Sequence, residues 1–351
     1  MDWGHFILFT VILFAFVISG VLFFIWYERR ALARFQLRPG PNRAGPFGLL
    51  QPLADALKVL LKEDIVPTLA DKPVHFLAPL VAFVPAMAVF AVIPFGDGAL
   101  LADLNIGILY IMAVSSMIVI GVFMAGWSSS NKYSIIGAMR TIAQEVSYEI
   151  PLVLSILGAV MLAGSLSLNE IVKAQEVPFI LLQPLGFLIY MTAAMAEINR
   201  TPFDLLEADS EIIAGFHTEY SGMKFGLFFL TEYAETLSVA AIAATLFLGG
   251  WAGPEFLPGF VWFIIKIIAI FTLIIWVRAT FPRLRIDQVM GFCWKFLLPM
   301  AILNLLLTAG LVLTGMAGEL WLSIPLNLAL ALVLIIGLSR QFRTGGGHVV
   351  A

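Results

Sequence analysis

Residues 5–26 read HFILFTVILFAFVISGVLFFIW, 22 positions without an aspartate, glutamate, lysine or arginine. About 20 such residues cross the hydrocarbon core of a bilayer as an α-helix. The run stops at Tyr27-Glu28-Arg29-Arg30, as a spanning helix does on reaching an interface. No basic segment and no small-residue cleavage site accompanies it, so it reads as a retained span and not as a signal peptide. Comparable runs follow at 74–95, 106–127, 146–165, 179–199, 223–249, 259–281, 293–316 and 320–339. The expected fold is an all-α polytopic membrane protein of about nine transmembrane helices, a single integral membrane domain over 1–351. The fourth run is the weakest, being short and interrupted by Pro151. The composition agrees: 61% of the 351 residues are hydrophobic and 12% charged, against about 45–50% and 25% in a soluble domain. The mean hydropathy of +0.98 leaves no surface for a soluble globule or a nucleic-acid binder.

The basic residues set an orientation. Eighteen of the 20 lysines and arginines fall on one set of alternate loops and helix ends, whereas Lys173 lies on the other set and Lys266 inside the seventh run. Asp2, Asp97, Asp103, Glu170, Glu176, Glu255 and Glu319 fall on that other set. Positive residues stay inside, so the N-terminus is expected outside and the C-terminus inside. A single cysteine, Cys293, excludes an internal disulfide and any cysteine-ligated zinc or iron–sulfur site. The four histidines lack ligand spacing, no phosphate-binding glycine motif occurs, and no metal site is expected.

Three segments carry candidate chemistry. The first inside loop, about 28–72, contains Arg38-Pro39-Gly40-Pro41-Asn42-Arg43, which forces tight turns. Within it, 49–63 has helical period, with Leu49, Leu53, Leu57 and Leu60 on one stripe and Gln51, Asp55, Lys58 and Lys62 on another. That segment reads as an amphipathic helix in the membrane interface, the plainer alternative being a surface helix that only anchors the loop. The second feature is a set of carboxylates in or beside the spans: Glu145 and Glu149 one helical turn apart, Glu197 ending the fifth run, and Glu232 and Glu235 within the sixth. A carboxylate at bilayer depth costs ~2.5–3.5 kcal/mol on insertion scales, so a group of them needs a wetted interior, cationic partners or protonation. Too few bases lie near Glu232 and Glu235 in sequence to pair both, which favours proton handling over structural pairing. The third feature is the inside loop at about 200–222. Glu197, Asp204, Glu207, Asp209, Glu211 and Glu219 place six acids in 23 residues. A solvated subunit-contacting loop explains that charge; an acidic path leading from the surface into the membrane is the sharper reading. The bases Arg278, Arg283, Arg285 and Lys295 are accounted for by orientation and lipid contact. Lys266 either counters a buried acid or snorkels.

These residues resemble one family closely along nearly the whole chain. The motifs are Glu28-Arg29-Arg30; Gln36 to Arg43; Gly48 to Asp55; Lys62-Glu63-Asp64; Gly126-Trp127-Ser128; Gly137 to Arg140; Ala143-Gln144; Ser147-Tyr148-Glu149; Ala196 to Asp204; Gly215-Phe216; Glu219-Tyr220; Glu232-Tyr233; Pro282-Arg283; Asp287-Gln288; and Trp294-Lys295. The family is the quinone-site membrane subunit of the proton-pumping NADH–quinone oxidoreductase, respiratory complex I. The resemblance implies a translocase subunit of the bacterial cytoplasmic (inner) membrane that works with other membrane-arm and peripheral-arm subunits. Quinone, such as ubiquinone, is then a substrate at a shared site, while NADH, flavin and iron–sulfur clusters belong to partner subunits. Carried over by motif, Arg29, Arg38 and Asp55 belong to the quinone chamber. Glu149, Glu197, Asp204, Glu207, Asp209, Glu211, Glu219 and Glu232 belong to an acidic path coupling quinone reduction to proton translocation. Asp209 stands where the family has glutamate, and Glu145 where many relatives have an uncharged residue; the roles of Glu145, Glu235 and Lys266 stay open. The ninth span is an addition to the eight helices of shorter relatives. Two rival readings are the membrane anchor of an energy-converting hydrogenase-type complex, which shares the first-loop motif, and a stand-alone cation/proton transporter. A purely structural anchor without a proton role is the third.

Overall fold

The structure is a computed structural model and describes residues 3–96, 98–204, 214–254, 256–316, 321, 323–332 and 336. The elements among these residues are all helices, without a strand among them. The elements are α1 (Trp3–Phe35), a 3₁₀ turn (Pro46–Gly48), α2 (Gln51–Leu60), α3 (Lys72–Ala88), α4 (Gly107–Ser115), α5 (Met117–Ser128) and α6 (Lys132–Ala163). There follow α7 (Leu168–Ala174), α8 (Phe179–Leu182), α9 (Pro184–Glu197), a 3₁₀ turn (Gly215–His217), α10 (Gly222–Phe247), α11 (Gly259–Thr280) and α12 (Ile286–Phe292). A π-helical turn (Cys293–Leu297) joins α12 to α13 (Leu298–Leu313), and Ser323–Leu332 forms α14.

Seven helices among the described residues are long and apolar enough to cross a membrane: Ile7–Phe35, Lys72–Val92, Gly107–Ser128, Lys132–Ala163, Gly222–Phe247, Gly259–Thr280 and Ile286–Leu313. The all-α polytopic expectation holds, but nine such spans are not found among these residues. The expected fifth span is divided into α8 and α9 at Gln183. Pro184 supplies no N–H and disfavours helical geometry in the residue before it. At the break the carbonyl of Leu182 accepts from Asn327 Nδ2 at 3.0 Å. The expected ninth span, 320–339, is described only in part.

Two helices are longer than hydropathy suggests. The first runs to Phe35, so Glu28, Arg29, Arg30 and Arg34 stand on helix and not in a loop. The sixth begins at Lys132, where the Asn131 side chain accepts from Tyr133 N at 2.9 Å, and ends at the left-handed Gly164. Its 32 residues extend about 48 Å at 1.5 Å per residue, well beyond a ~30 Å hydrocarbon core. The polar positions Arg140, Gln144, Glu145 and Glu149 lower its local hydropathy and hide its first half.

The core is built around α10. Of its most apolar window 72% is buried, against 17% for α1, so α10 is central and α1 peripheral. Small residues at Ala240, Ala241, Ala243 and Ala244, all fully buried, let neighbouring helices approach. Lys266 neither snorkels nor meets an acid: its ammonium donates to the carbonyls of Gly250 at 2.8 Å and Ala252 at 2.6 Å, just beyond the C-terminus of α10. A cation there also complements the negative end of that helix dipole.

Candidate functional site

The first-loop motif folds back on α1. Trp26 Nε1 donates to Phe47 O at 3.1 Å, and Arg30 reaches the same carbonyl at 2.7 Å. Gly48 has φ +75°, and a Cβ there would lie 2.1 Å from Pro41 O, so only glycine permits this fold-back. The chain is thereby delivered into α2, which encloses a groove with α1 and α10. The groove has a volume of about 330 Å³, and Leu22, Ile25, Pro52, Val59, Met223 and Phe229 are among its apolar walls. Arg29 and Asp55 also line it and form an ion pair, with Gln51 Nε2 donating to the other carboxylate oxygen of Asp55 at 3.0 Å. Arg38 is not drawn in: it is exposed and donates to Gln36 Oε1 at 2.6 Å. Leu49, Leu53, Leu57 and Leu60 are exposed, so the apolar stripe of α2 faces away from the rest of the chain.

Behind the groove lie two small cavities bounded by carboxylates. The first, about 50 Å³, is lined by Glu145, Glu149, Glu197 and Glu235 together with Tyr190 and Ser238. The second, about 60 Å³, is lined by Glu145, Glu232 and Glu235 together with Asn199 and His217. Both have room for ordered water and the polar groups to hold it. Glu145 and Glu235 border both cavities, so they join Glu149 and Glu197 on one side to Glu232 on the other. The loop after α9 is pinned beside them: Gln144 Nε2 donates to Ala196 O at 2.7 Å and Phe203 O at 2.8 Å, and Asn199 Nδ2 donates to Glu145 Oε1 at 2.9 Å. His217 belongs to the loop before α10, and burial pushes its imidazole down to about 4. It is therefore neutral at physiological pH and adds no positive charge to the second cavity.

A buried charge cluster links groove and cavities. Glu28 is 4% exposed and Arg200 is 5% exposed, which rules out solvent as their main partner. Glu28 pairs closely with Arg278 and lies 3.5 Å from Arg200. Arg200 also stands 3.2 Å from Glu232 and 4.6 Å from the Tyr233 ring centroid, a cation–π arrangement.

Of the acids expected from sequence, Glu149, Glu197 and Glu232 thus come together around the cavities. Asp204 is buried and pairs with Arg283 at 3.1 Å. Glu219 accepts from Asn131 Nδ2 at 2.6 Å and lines neither cavity. Glu207, Asp209 and Glu211 lie outside the described residues. Among the described residues no group of three histidines, cysteines or acids could hold a metal ion. Sequence reasoning left Glu145 and Glu235 open and missed Glu28, Arg200 and Arg278. The available signal was their position: Glu28 ends the first apolar run, and Arg200 stands three residues after Glu197.

The chain resembles known proteins along nearly its whole length. A family described as NADH dehydrogenase matches residues 8–309. The chain is 70% identical over 347 residues to the H subunit of the NADH-quinone oxidoreductase of Dehalococcoides mccartyi strain CBDB1, covering 99% of this chain and 98% of that one. It is 51% identical over 319 residues to the same-named protein of Brevibacillus brevis, covering 89% and 95%. It is 52% identical over 316 residues to that of Bacillus thuringiensis strain Al Hakam, covering 88% and 95%. These names favour neither a hydrogenase-type anchor nor a stand-alone transporter. The chain is a multi-pass membrane protein belonging to the family of NADH-quinone oxidoreductase H subunits.

Proposed function

We propose that this chain helps form the quinone chamber of an NADH–quinone oxidoreductase and couples quinone reduction to proton translocation through its buried carboxylates. The observation that carries this reading is the sharing of Glu145 and Glu235 between two cavities. It makes an unbroken acidic run from Glu149 to Glu232, and Arg200 and Glu28 continue that run toward the groove. The groove suits an isoprenoid quinone: its walls are apolar, and Arg29 and Asp55 supply one polar locus. Partner subunits bring NADH, flavin and iron–sulfur clusters and deliver the electrons. The setting is the bacterial cytoplasmic membrane, with the N-terminus outside, the C-terminus inside and 1–351 as one membrane domain.

Reducing a quinone to its quinol takes up two electrons and two protons. Charge appearing transiently in a low-dielectric groove acts strongly on nearby ionisable groups. Carboxylates crowded around shared water perturb one another, so a change at one is passed on as a proton shift at the next. On this reading Glu149, Glu197, Glu145, Glu235 and Glu232 form the relay. Asp204, Glu207, Asp209, Glu211 and Glu219 supply its acidic inside surface, and Arg38 belongs to the rim of the chamber.

The test replaces Glu149, Glu219 and Glu232 singly with glutamine in the assembled complex, verifies assembly, and measures quinone reduction and proton pumping. Glu149→Gln and Glu232→Gln, which line the cavities, are expected to lower pumping at least tenfold, and Glu219→Gln less. Unchanged pumping in all three overturns the reading.

A further inference from the structure

We infer that Arg200 is an exchangeable counter-ion, shared between Glu28 and Glu232, whose transfer from one to the other carries the state of the groove to the acidic cavities. The inference rests on the coupling reading above and assigns its physical link.

Three observations carry it. First, the guanidinium lies between two acids of different helices: Nη1 is 3.5 Å from Glu28 on α1, and Nη2 is 3.2 Å from Glu232 on α10. Second, the two acids are placed at different sites. Glu28 directly precedes Arg29, which lines the groove, whereas Glu232 lines the second cavity. Third, no well-aligned protein hydrogen bond fixes the guanidinium in one place: Nη1 reaches Glu28 only at 3.5 Å, and Nε and Nη2 have no aligned protein acceptor, with Glu232 at ion-pair distance. Buried arginines ordinarily satisfy these donors.

The balance of charge makes the transfer feasible. Removing the only partner of a buried carboxylate is strongly unfavourable. Glu28 escapes that cost because Arg278 pairs with it closely and stays when Arg200 leaves. The Tyr233 face, 4.6 Å away, supports the guanidinium while it re-aims. A carboxylate beside an arginine favours its ionised form, and the departure of that arginine favours the protonated form. Movement of one side chain by a few ångströms thus becomes protonation or deprotonation at the mouth of the acidic run. Charge in the groove, felt first by Arg29 and Glu28, biases which acid holds the cation. Glu28, Arg200 and Arg278 are positioning residues here, acting on Glu232 and not on the quinone itself.

The test uses the assembled complex in proteoliposomes. Glu28→Gln removes one of the two acceptors and leaves Arg200 on Glu232 throughout. The number of protons pumped per NADH oxidised is expected to fall at least threefold, more than the rate of quinone reduction falls, with recovery in Glu28→Asp. An unchanged ratio in Glu28→Gln alongside a lowered one in Glu232→Gln overturns this inference and leaves the coupling reading standing; unchanged ratios in both remove the coupling reading as well. If Glu28→Gln fails to assemble, structures of the unaltered complex with and without a quinone-site inhibitor decide. Arg200 is expected nearer Glu28 in one state and nearer Glu232 in the other, and an identical position in both overturns the proposal.

Discussion

A half-exposed ion pair on the surface of a soluble protein contributes little, and Arg29–Asp55 is half-exposed: the side chains retain 40% and 32% of their accessible area. Its weight comes from where it sits, since an otherwise apolar groove gives a polar head group few alternatives. Asp55→Asn keeps the shape and the Gln51 contact but leaves Arg29 without its counter-charge. The KM for quinone in the assembled complex is expected to rise about threefold to tenfold, equivalent to about 0.7–1.4 kcal/mol of lost binding, with a smaller change in kcat. Arg38→Gln, on an exposed residue bonded only locally to Gln36, is expected to change KM by less than twofold. Steady-state titration of both variants separates the two residues; equal shifts would return Arg38 to the chamber. Sequence motif alone cannot make this distinction, because Arg29 and Arg38 stand nine positions apart in one basic segment, and only the structure shows that α1 carries Arg29 and stops before Arg38.

Helices here are located by their packing surfaces as much as by their apolar runs. Gly121 on α5 faces the backbone of α3, and a Cβ at this position would lie 2.7 Å from Ala82 N and 2.9 Å from its Cα. Backbone cannot rotate away as a side chain can, so the two helices must separate. Ala82 and Ile118 both border the second cavity, so that separation also reshapes the acidic interior. Gly121→Ala is expected to cost about 1–3 kcal/mol through overpacking, seen as a lower thermal midpoint of the purified complex. Gly291→Ala on α12 is the control, with nothing within 4 Å of the added carbon and ordinary backbone geometry; an equal loss in both would discount helix contact as the cause. Apolar runs made the all-helical fold and most spans legible in the sequence. They failed where charged residues interrupt hydropathy: the first half of α6 carries Glu145, and the last turns of α1 carry Glu28. The same polar residues that blur a span mark the interior it encloses. Arg200 and Arg278 were read as inside-loop bases, because nothing in one dimension indicates that α1, the α9–α10 loop and α11 converge on one carboxylate.

At the scale of the whole molecule the two ends differ in chemistry. At one end the chain crosses over through Asp71 N to Ser128 O at 3.0 Å, Ser134 Oγ to Phe216 O at 2.9 Å and the Lys224–Asp64 pair at 2.8 Å. Arg29, Arg200 and Arg278 converge on carboxylates at this end, and Lys72 and Lys132 begin helices there. At the other end the contacts are Ile108 N to Leu166 O at 3.1 Å and the capping of Gly250 and Ala252 by Lys266, with Asp103 and Glu170 as exposed acids. The groove and the charge cluster therefore belong to the basic end. Because basic residues are retained inside during insertion, the acidic end is expected outside. A cysteine introduced at Ala99, exposed between α3 and α4, tests this without altering the native Cys293, which is buried. Ala99→Cys should react with a membrane-impermeant maleimide in intact cells. Lys62→Cys, exposed at the basic end, should react only after permeabilisation. The opposite labelling pattern would turn the groove toward the wrong compartment, and with it the direction in which the carboxylates could move a proton.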